Sequence, residues 1–264
     1  MARLAGKKAI VVGAGQTSGE TIGNGRAMAI LFAREGAEVM CVDNRIDCAA
    51  ETAAMIAKEG GKTFSFEADV TKWAECASIA TEARMRMGRI DILVNNVGTG
   101  RGDAPPHGIE EEHWDRIMGV NLKSMAATIR HVLPIMRQQK SGAILNISSL
   151  AAIAGSHMVT YEVSKMAVNR LTTVVAVGNA KHGIRCNVIM PGLMDTPMAI
   201  GGISAARGID PQKLRSERSA RVPMGHMGTG WDTAYAALFL CSEEAKFITG
   251  VALPVDGGMA VNIG

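Results

Sequence analysis

The sequence predicts an α/β fold in which helices cover both faces of a doubly wound parallel sheet, within a single domain. Short, continuous apolar runs alternate with longer amphipathic stretches along the chain, and strands that are buried on both faces have this pattern. Glycines close the helical stretches, as they do in left-handed helix caps. The 264 residues contain no repeat, low-complexity tract or linker, so we expect one domain.

The predicted elements follow one another in an alternating order. We predict strands at residues 8–12, 38–42, 63–67, 90–94, 143–147, 185–189 and 251–255. We predict helices at residues 25–35, 49–59, 73–87, 111–127, 128–138, 161–181 and 233–242. Residues 191–230, which are rich in Gly, Pro, Ser, Met and Arg, are the least regular stretch. Because a long irregular segment in a compact domain is often a lid or a binding loop, we expect this one to contact the substrate.

The composition argues against several classes of function. The net charge of +3 is small and spread out, which disfavours a nucleic-acid-binding protein. No apolar stretch approaches the roughly 20 residues that span a bilayer, and the N-terminus lacks a signal-peptide core. The five cysteines are scattered and the six histidines have no ligand spacing. We therefore expect reduced thiols, no metal and a cytoplasmic location.

Glycines after the first strand indicate a phosphate site. Gly13 and Gly15 follow the strand, and Gly23 and Gly25 open the first helix. Glycine in such places lets the backbone approach a pyrophosphate at the positive end of the helix. Asp43 ends the second strand, where an acid can accept hydrogen bonds from the ribose of a dinucleotide. Together these features predict a Rossmann-like fold with a dinucleotide site.

A tyrosine and a lysine four residues apart indicate the interconversion of an alcohol and a carbonyl. Tyr161 and Lys165 share one face of a predicted helix, since residues four apart lie one turn from each other. A free phenol has a pKa of about 10, and we expect the positive charge of Lys165 to lower the pKa of Tyr161. A nearby serine hydroxyl could then hold a substrate oxygen while the tyrosine moves a proton.

Short motifs along nearly the whole chain resemble those of the short-chain dehydrogenase/reductase family. In order they are Gly13…Gly23-Asn-Gly25, Asp69-Val70, Asn95-Asn96-Val97-Gly98, Asn121 in Val-Asn-Leu-Lys-Ser, Asn146-Ile-Ser-Ser149, Tyr161-Glu-Val-Ser-Lys165, Ile184-Arg-Cys-Asn187, Pro191-Gly192-Leu-Met-Asp-Thr196-Pro197 and Asp256-Gly-Gly258. Each motif is short, and their joint order and spacing make the resemblance specific.

The resemblance implies a catalytic set of four residues. Tyr161 would be the acid/base, and Lys165 would lower its pKa and bond the nicotinamide ribose. Ser149 would position the substrate oxygen. Asn121 would hold a water that links Lys165 to solvent, although such an asparagine can also be only a helix-kink residue. Hydride would move between the nicotinamide and the substrate carbon, so the redox chemistry would belong to the cofactor.

The resemblance also implies an extended cofactor site. Asp69 and Val70 would contact the adenine, and Asn95 the adenosine-side ribose region. Pro191, Gly192 and Thr196, which follow the sixth predicted strand, would orient the nicotinamide ring. The whole expected set is Gly13, Gln16, Gly23, Asn24, Asp43, Asp69, Val70, Asn95, Gly98, Tyr161, Lys165, Pro191, Gly192 and Thr196.

The chain departs from the family pattern in two places near the cofactor site. The family usually has Thr-Gly where this chain has Val12-Gly13, so the hydroxyl that would tie the glycine loop to the Asn95 segment is missing. The glycine loop also carries several extra residues within 16–22. Hydroxyl groups among them could bind a pyrophosphate or only close a longer turn.

Two adjacent serines compete for the catalytic role. The family's usual spacing to the tyrosine selects Ser148, whereas counting forward from Asn146 selects Ser149. Gly155 also stands where the family has a glycine relative to Ser149. We therefore prefer Ser149, with a one-residue deletion within residues 156–160.

The leading interpretation is an NAD-dependent oxidoreductase that interconverts a secondary alcohol and a ketone. Asp43 would repel the 2′-phosphate of NADP, whereas Arg45 leaves NADP possible. One alternative is an NADPH-dependent 3-oxoacyl reductase. Another, from a different class, is a dinucleotide-sensing protein without catalysis, and the intact catalytic set argues against it.

Two features of the predicted helices suggest self-association. Family members commonly pair the helices that correspond to residues 111–138 and 161–181, and both stretches carry more apolar residues than one buried face requires. Gly178 lies inside the second helix, where glycine is unfavourable unless another helix approaches closely. We expect a homotetramer, or at least a dimer. We expect the substrate to be a small-molecule alcohol or ketone.

Overall fold

Seven parallel strands form the central sheet. The structure, a computed structural model, describes residues 2–155 and 157–262. The strands of the sheet are β1 (Lys8–Val12), β2 (Glu38–Asp43), β3 (Thr63–Glu67), β4 (Ile92–Asn95), β5 (Gly142–Ile147), β6 (Ile184–Pro191) and β9 (Ala252–Val255), and β7 (Met194–Asp195) pairs separately with β8 (Gly228–Thr229). The order across the sheet is β3-β2-β1-β4-β5-β6-β9, so the predicted doubly wound, Rossmann-like architecture is confirmed.

Helices cover both faces of this sheet. The α-helices are α1 (Asn24–Arg34), α2 (Ile46–Lys58), α3 (Trp73–Met87), α4 (Glu111–Met118), α5 (Ser124–Gln139), α6 (Val159–Asn179), α7 (Pro197–Arg207), α8 (Pro211–Ser219) and α9 (Gly230–Cys241). Successive strand residues point to opposite faces. Val11 accordingly packs with the apolar sides of α1, α2 and α9, and Ile10 with those of α3, α5 and α6. Within the described residues, no helix is both long enough and apolar enough to cross a membrane.

The order of the strands reverses at β1, which positions the functional site. β1 pairs with β2 on one side and with β4 on the other. In open parallel sheets a crevice forms outside the carboxyl ends of the strands at such a point. The glycine loop leaves β1 there, and the segment that begins at Asn96 leaves β4 there.

The helices predicted at residues 111–127 and 128–138 are divided at a different place. α4 ends at Met118, a single π-helical turn spans Gly119–Lys123, and α5 follows directly. Such turns are rare, lie inside α-helices and frequently occur at functional sites. The predicted boundary between residues 127 and 128 therefore lies inside α5.

The stretch 191–230, predicted to be irregular, contains two helices and two short strands, so that part of the prediction is wrong. The Thr196 side chain accepts a hydrogen bond from the Ala199 N–H at 3.3 Å, and Asp210 accepts one from the Lys213 N–H at 2.8 Å. Proline follows each cap, at the first position of α7 and of α8. A capping residue followed by proline is a helix-start signal, so the starts of α7 and α8 could have been predicted from the sequence.

Candidate active site

Tyr161, Lys165 and Ser149 meet at the carboxyl end of β5. Tyr161 and Lys165 lie one turn apart on α6, as their spacing predicts. β5 ends at Ile147, and the Ser149 Oγ caps the short turn after it by accepting the Ala151 N–H at 3.1 Å. The Ser149 hydroxyl lies near enough to the Tyr161 phenol to lower the pKa of that phenol.

The two adjacent serines point to different places. The Ser148 Oγ donates to the backbone carbonyl of Lys165 at 2.8 Å, and its side chain is only 3 % exposed. The Ser148 hydroxyl therefore connects the end of β5 to α6, and its proton is used in that hydrogen bond. Ser149 is the serine whose hydroxyl lies near the phenol. The deletion expected within residues 156–160 includes residue 156, which lies outside the described residues.

The Lys165 ammonium is buried beside the tyrosine ring. Its Nζ donates to the Ile147 carbonyl at 3.0 Å and lies 5.6 Å from the centroid of the Tyr161 ring. Gly98 leaves room for it, because a Cβ at this position would come within 2.8 Å of Nζ. The lysine thus lies at the junction of β5, α6 and the segment after β4.

Burial shifts both pKa values in the direction that opposes the charged form. It raises the pKa of the Tyr161 phenol, and the Ser149 hydroxyl only partly offsets that rise. It lowers the pKa of the Lys165 ammonium to about 8. The pKa of Tyr161 is therefore raised in this structure, because desolvation outweighs the hydrogen bond from Ser149. The expectation that Lys165 lowers this pKa stays a prediction.

Asn121 lies at the centre of the π-helical turn and is completely buried. Its Oδ1 accepts the Thr99 N–H at 2.7 Å, and its Nδ2 donates to the Thr99 carbonyl and the Ser164 Oγ, each at 2.9 Å. Asn121 therefore links the segment after β4 to α6 between Tyr161 and Lys165. The kink-residue interpretation is consistent with this geometry.

Sequence reasoning missed Asp103, which caps the helix that carries the tyrosine. Its carboxylate accepts the backbone N–H groups of Thr160 at 3.2 Å and Tyr161 at 2.6 Å. A local capping residue lies next to its helix, whereas Asp103 is separated from Tyr161 by 58 positions. No sequence pattern could have identified it.

The glycine loop approaches its neighbours closely. Gly13 has a φ of +80°, and a Cβ at Gly25 would overlap the Gly13 carbonyl oxygen. The Asn96 Nδ2 donates to that oxygen at 3.0 Å, and the Asn96 N–H donates to the Val12 carbonyl, also at 3.0 Å. Asn96 thus supplies the connection that the missing hydroxyl at position 12 does not.

Gln16 closes the extended part of the glycine loop. Its Oε1 accepts the Gly23 N–H at 2.8 Å, and its Nε2 donates to the Thr21 carbonyl at 3.3 Å. α1 begins immediately afterwards at Asn24, whose Oδ1 is buried without a hydrogen-bond partner among the described residues. This buried oxygen adjoins the first turn of α1, so it could take part in a ligand site there.

Asp43 lies beside the first turn of the glycine loop. Its Oδ2 accepts the Gly15 N–H and its Oδ1 the Arg45 N–H, each at 3.1 Å. A Cβ at Gly15 would come within 2.7 Å of Oδ2. The Asp43 carboxylate is thus held at the carboxyl end of β2, adjacent to the glycine loop.

Asp69, Val70 and Asn95 differ in how they are placed. The Asp69 Oδ1 accepts the N–H and the hydroxyl of Thr71, and Val70 is 6 % exposed, at the start of the turn into α3. The Asn95 side chain lies instead in a buried network, donating to Asn146 at 2.9 Å and accepting from Thr128 at 2.7 Å. It binds β4 to β5 and α5, so the expected ribose contact of this side chain does not fit the geometry.

The remaining predicted residues lie where β6 ends. Pro191 is the last residue of β6, and a Cβ at Gly192 would come within 2.8 Å of Asp256, so glycine is required there. Thr196 is the buried cap of α7. Among residues 2–155 and 157–262, no three His, Cys, Asp or Glu side chains are grouped so that they could hold a metal ion.

Comparisons with known proteins show which proteins this chain is similar to. A family model described as enoyl-(acyl carrier protein) reductase matches residues 19–260. The chain is 34% identical over 264 residues to the 3-oxoacyl-[acyl-carrier-protein] reductase FabG of Thermotoga maritima, covering 98% of this chain and 100% of that protein.

Solved structures show the same fold over the whole length. A crystal structure from Burkholderia xenovorans, described as that of a short-chain dehydrogenase/reductase, has a TM-score of 0.94 with 41% identity and covers 100% of both chains. A 7α-hydroxysteroid dehydrogenase in complex with NADH and 7-oxoglycochenodeoxycholic acid has a TM-score of 0.86 with 33% identity, covering 97% of this chain and 95% of that one. The chain belongs to the classical short-chain dehydrogenase/reductase family.

Proposed function

We propose that this protein interconverts a secondary alcohol and a ketone by hydride transfer, with NAD as the preferred cofactor. One observation supports the proposal above all. The phenol of Tyr161 and the hydroxyl of Ser149 are neighbours, and the Lys165 ammonium is buried beside them, at the carboxyl ends of parallel strands. A proton donor and a hydrogen-bond donor that converge in this way fit a carbonyl oxygen.

The residues around the glycine loop fit a dinucleotide. A Cβ at Gly13, Gly15 or Gly25 would come within 3.0 Å of neighbouring atoms. The loop is therefore closely packed, and the positive end of α1 that follows it suits a pyrophosphate. Gly23 and Asn24 belong to the same turn. Asp43 is held where it could accept hydrogen bonds from an adenosine ribose, and Asp69 and Val70 begin the turn where the adenine would lie.

The proposed mechanism assigns separate tasks to the three catalytic side chains. Ser149 donates a hydrogen bond that orients the substrate oxygen, and Tyr161 gives that oxygen a proton in the reductive direction and removes it in the oxidative direction. Lys165, in its protonated form, would stabilise negative charge on the phenolate and would hold the nicotinamide ribose. The chemistry that a nicotinamide would supply, when bound, is the gain or loss of the hydride. In this proposal a water at Asn121 would link Lys165 to solvent, while the Asn121 side chain holds the segment after β4 against α6.

Residues in the segments that follow β1, β4 and β6 would complete the cofactor site. Gly98 leaves room for the Lys165 ammonium. Pro191, Gly192 and Thr196 precede α7 and would orient the nicotinamide ring. Gln16 would act indirectly, by holding the glycine loop closed.

Two alternatives are tested alongside the main proposal. The similarity to a 3-oxoacyl-[acyl-carrier-protein] reductase supports an NADPH-dependent 3-oxoacyl reductase, and the exposed Arg45 beside Asp43 is compatible with NADP. A non-catalytic dinucleotide sensor would bind NADH without turnover. The position of Asp43 favours NAD, because a carboxylate repels a 2′-phosphate.

We further propose that the protein is a homotetramer, or at least a dimer, built in part through α6. Exposed apolar side chains follow one face of this helix at helical spacing: Val163, Met166, Val174 and Val177 are 44%, 47%, 54% and 82% exposed. Gly178 adjoins them, and a Cβ there would meet nothing within 4 Å. Packing against a second copy of α6 would bury this apolar face and would account for a glycine at position 178.

Replacing Tyr161 by phenylalanine tests the proposed function. A panel of secondary alcohols, ketones and 3-oxoacyl thioesters is assayed with NAD(H) and NADP(H). Tyr161→Phe should lower kcat by about 10²–10⁴-fold, the usual contribution of a general acid/base, while the Kd for NADH changes little. A variant that keeps half of the wild-type activity would exclude Tyr161 as the proton donor, and a wild type that binds NADH but turns over nothing in the panel would favour a sensor.

A further inference from the structure

The extended part of the glycine loop, residues 16–22, rests on the segment that leads into α7. The Thr21 Oγ1 donates to the Asp195 Oδ1 at 3.4 Å. A Cβ at Gly19 would come within 2.8 Å of the Pro197 Cβ, so the loop and the start of α7 are in close contact. These contacts connect a loop after β1 to a segment after β6.

Arg215, on α8, binds both sides of this junction. Its Nε donates to the Asp195 Oδ2 at 3.0 Å, and one of its terminal nitrogens lies 3.1 Å from the Glu20 Oε2. The Arg215 and Asp195 side chains are 18% and 20% exposed, whereas that of Glu20 is 77% exposed. A planar guanidinium can engage two carboxylates at once, which a lysine ammonium cannot do with the same geometry.

The loop is not supported by tight packing on all sides. A cavity of about 470 Å³ adjoins it, and Gln16, Glu20, Thr21, Asp195 and Trp231 are among the residues that line it. Because open space lies beside the loop, polar contacts contribute much of what fixes its position. Loss of these contacts would leave the loop free to move.

We propose that Arg215 is a positioning residue that fastens the extended glycine loop to the Asp195–Pro197 segment and thereby slows the release of the dinucleotide. The inference rests on the proposed function, in which the loop lies on the pyrophosphate side of the cofactor and Thr196 on the nicotinamide side. The extended glycine loop and the Asp195–Pro197 segment would then together cover the bound dinucleotide, which would leave when the loop and the segment separate. Separation breaks the contact between Arg215 and Glu20.

The test is the dissociation rate constant of NADH, measured by stopped-flow fluorescence after displacement with excess NAD. Glu20→Gln should raise this constant roughly twofold to fivefold, the range that an exposed ion pair supports. Arg215→Gln should raise it by about tenfold, since a partly buried hydrogen-bonded contact to Asp195 is lost as well. Arg215→Lys, which keeps the charge but only one contact, should give an intermediate constant.

A double variant separates a specific link from general damage. If Arg215 acts through Glu20, adding Glu20→Gln to Arg215→Gln should have no further effect on the dissociation rate constant. Glu59→Gln is the matched control, because it removes one carboxylate from an exposed pair with Arg34, at 2.7 Å, between the carboxyl ends of α1 and α2. It should leave NADH dissociation unchanged.

The outcomes distinguish this inference from the proposed function. If the wild type binds NADH and turns over but Arg215→Gln releases NADH at the wild-type rate, the inference is wrong and the proposed function stands. A lower unfolding temperature of Arg215→Gln with unchanged release likewise assigns it a purely structural role and overturns the inference. If the wild type binds neither NADH nor NADPH, the proposed function fails first and the inference fails with it.

Discussion

The Asp103 carboxylate holds the first turn of the helix that carries Tyr161. Asp103 accepts the backbone N–H of Tyr161 at 2.6 Å, although 58 positions separate the two residues in the chain. The segment after β4 thus fixes where α6 begins and where the phenol lies. A carboxylate at this end of a helix is also favoured by the helix dipole.

Removal of this cap is expected to harm catalysis more than stability. Asp103→Ala should cost about 1 kcal/mol of unfolding free energy, as lost helix caps do, and lower kcat roughly tenfold to a hundredfold, because a small misplacement of a reacting group is costly. Asp103→Asn, which keeps an acceptor oxygen, should lie between. Urea unfolding and steady-state kinetics measure the two effects. Ser242→Ala, which removes a cap from the turn after α9, controls for stability, and a wild-type kcat in Asp103→Ala would contradict the prediction.

The two adjacent serines should respond differently to alanine. Ser149→Ala should lower kcat by about 10²-fold or more, the effect of removing a donor to a reacting oxygen. Ser148→Ala should lower the unfolding free energy by about 1 kcal/mol, because its buried hydroxyl donates to the Lys165 carbonyl, and should affect kcat less. If the kinetic effects ranked the other way, Ser148 would be the catalytic serine.

Lys165 should make stability depend on pH in a particular direction. Burial lowers its pKa to about 8 from 10.5, so between these values the unfolded chain binds a proton that the folded chain does not. The free energy of unfolding contributed by Lys165 therefore rises with pH in this window, while below about pH 8 the cost of burying the charge is fully present.

Urea unfolding of the wild type and Lys165→Met measures this contribution. The wild type should gain about 2–3 kcal/mol relative to the variant between about pH 7 and about pH 10. The Tyr161 phenol, whose pKa is raised, and the buried thiols act in the opposite direction at the alkaline end. Subtracting the unfolding free energy of the variant from that of the wild type removes the contribution of the thiols, which both proteins share. A constant difference across the window would show that the lysine is not desolvated in solution.

Asp43 should set the preference between the two cofactors. Asp43→Asn keeps an oxygen that can accept the Gly15 N–H but removes the charge that repels a 2′-phosphate. The ratio of kcat/KM for NAD to that for NADP should fall by roughly tenfold, as expected when one nearby charge is neutralised. Asp47→Asn makes the same charge change in the first turn of α2 and should leave the ratio unchanged. A wild type that prefers NADP would rule out this role.

The exposed face of α6 should mediate self-association. Val177→Glu places a charge at the most exposed apolar position of that face, 82% exposed, and should shift the protein to a smaller species in light scattering. Met85→Glu, on α3 and 70% exposed, makes a comparable change on a different surface and should not. A wild type that is a stable monomer at working concentration would argue against the assembly.

The sequence alone determined the features that depend on local spacing. Tyr161 and Lys165 share a helical face because four residues make about one turn, and the glycines at 13 and 25 mark close backbone approaches that no other residue allows. The alternation of apolar strands with amphipathic helices predicted a parallel sheet, because both faces of such a sheet are buried. The helices α7 and α8 were also encoded locally, by Thr196-Pro197 and Asp210-Pro211, and the prediction overlooked them.

The tertiary structure alone decided which polar groups meet and how strongly water is excluded from them. The pairing of Asp103 with Tyr161, the bridge from Arg215 to Glu20 and the enclosure of the Asn95 side chain join segments that are distant in the chain. The direction of the pKa shifts of Tyr161 and Lys165 depends on burial by all of these segments together. Desolvation is a property of the packed fold, and a spacing of residues along a chain carries no measure of it.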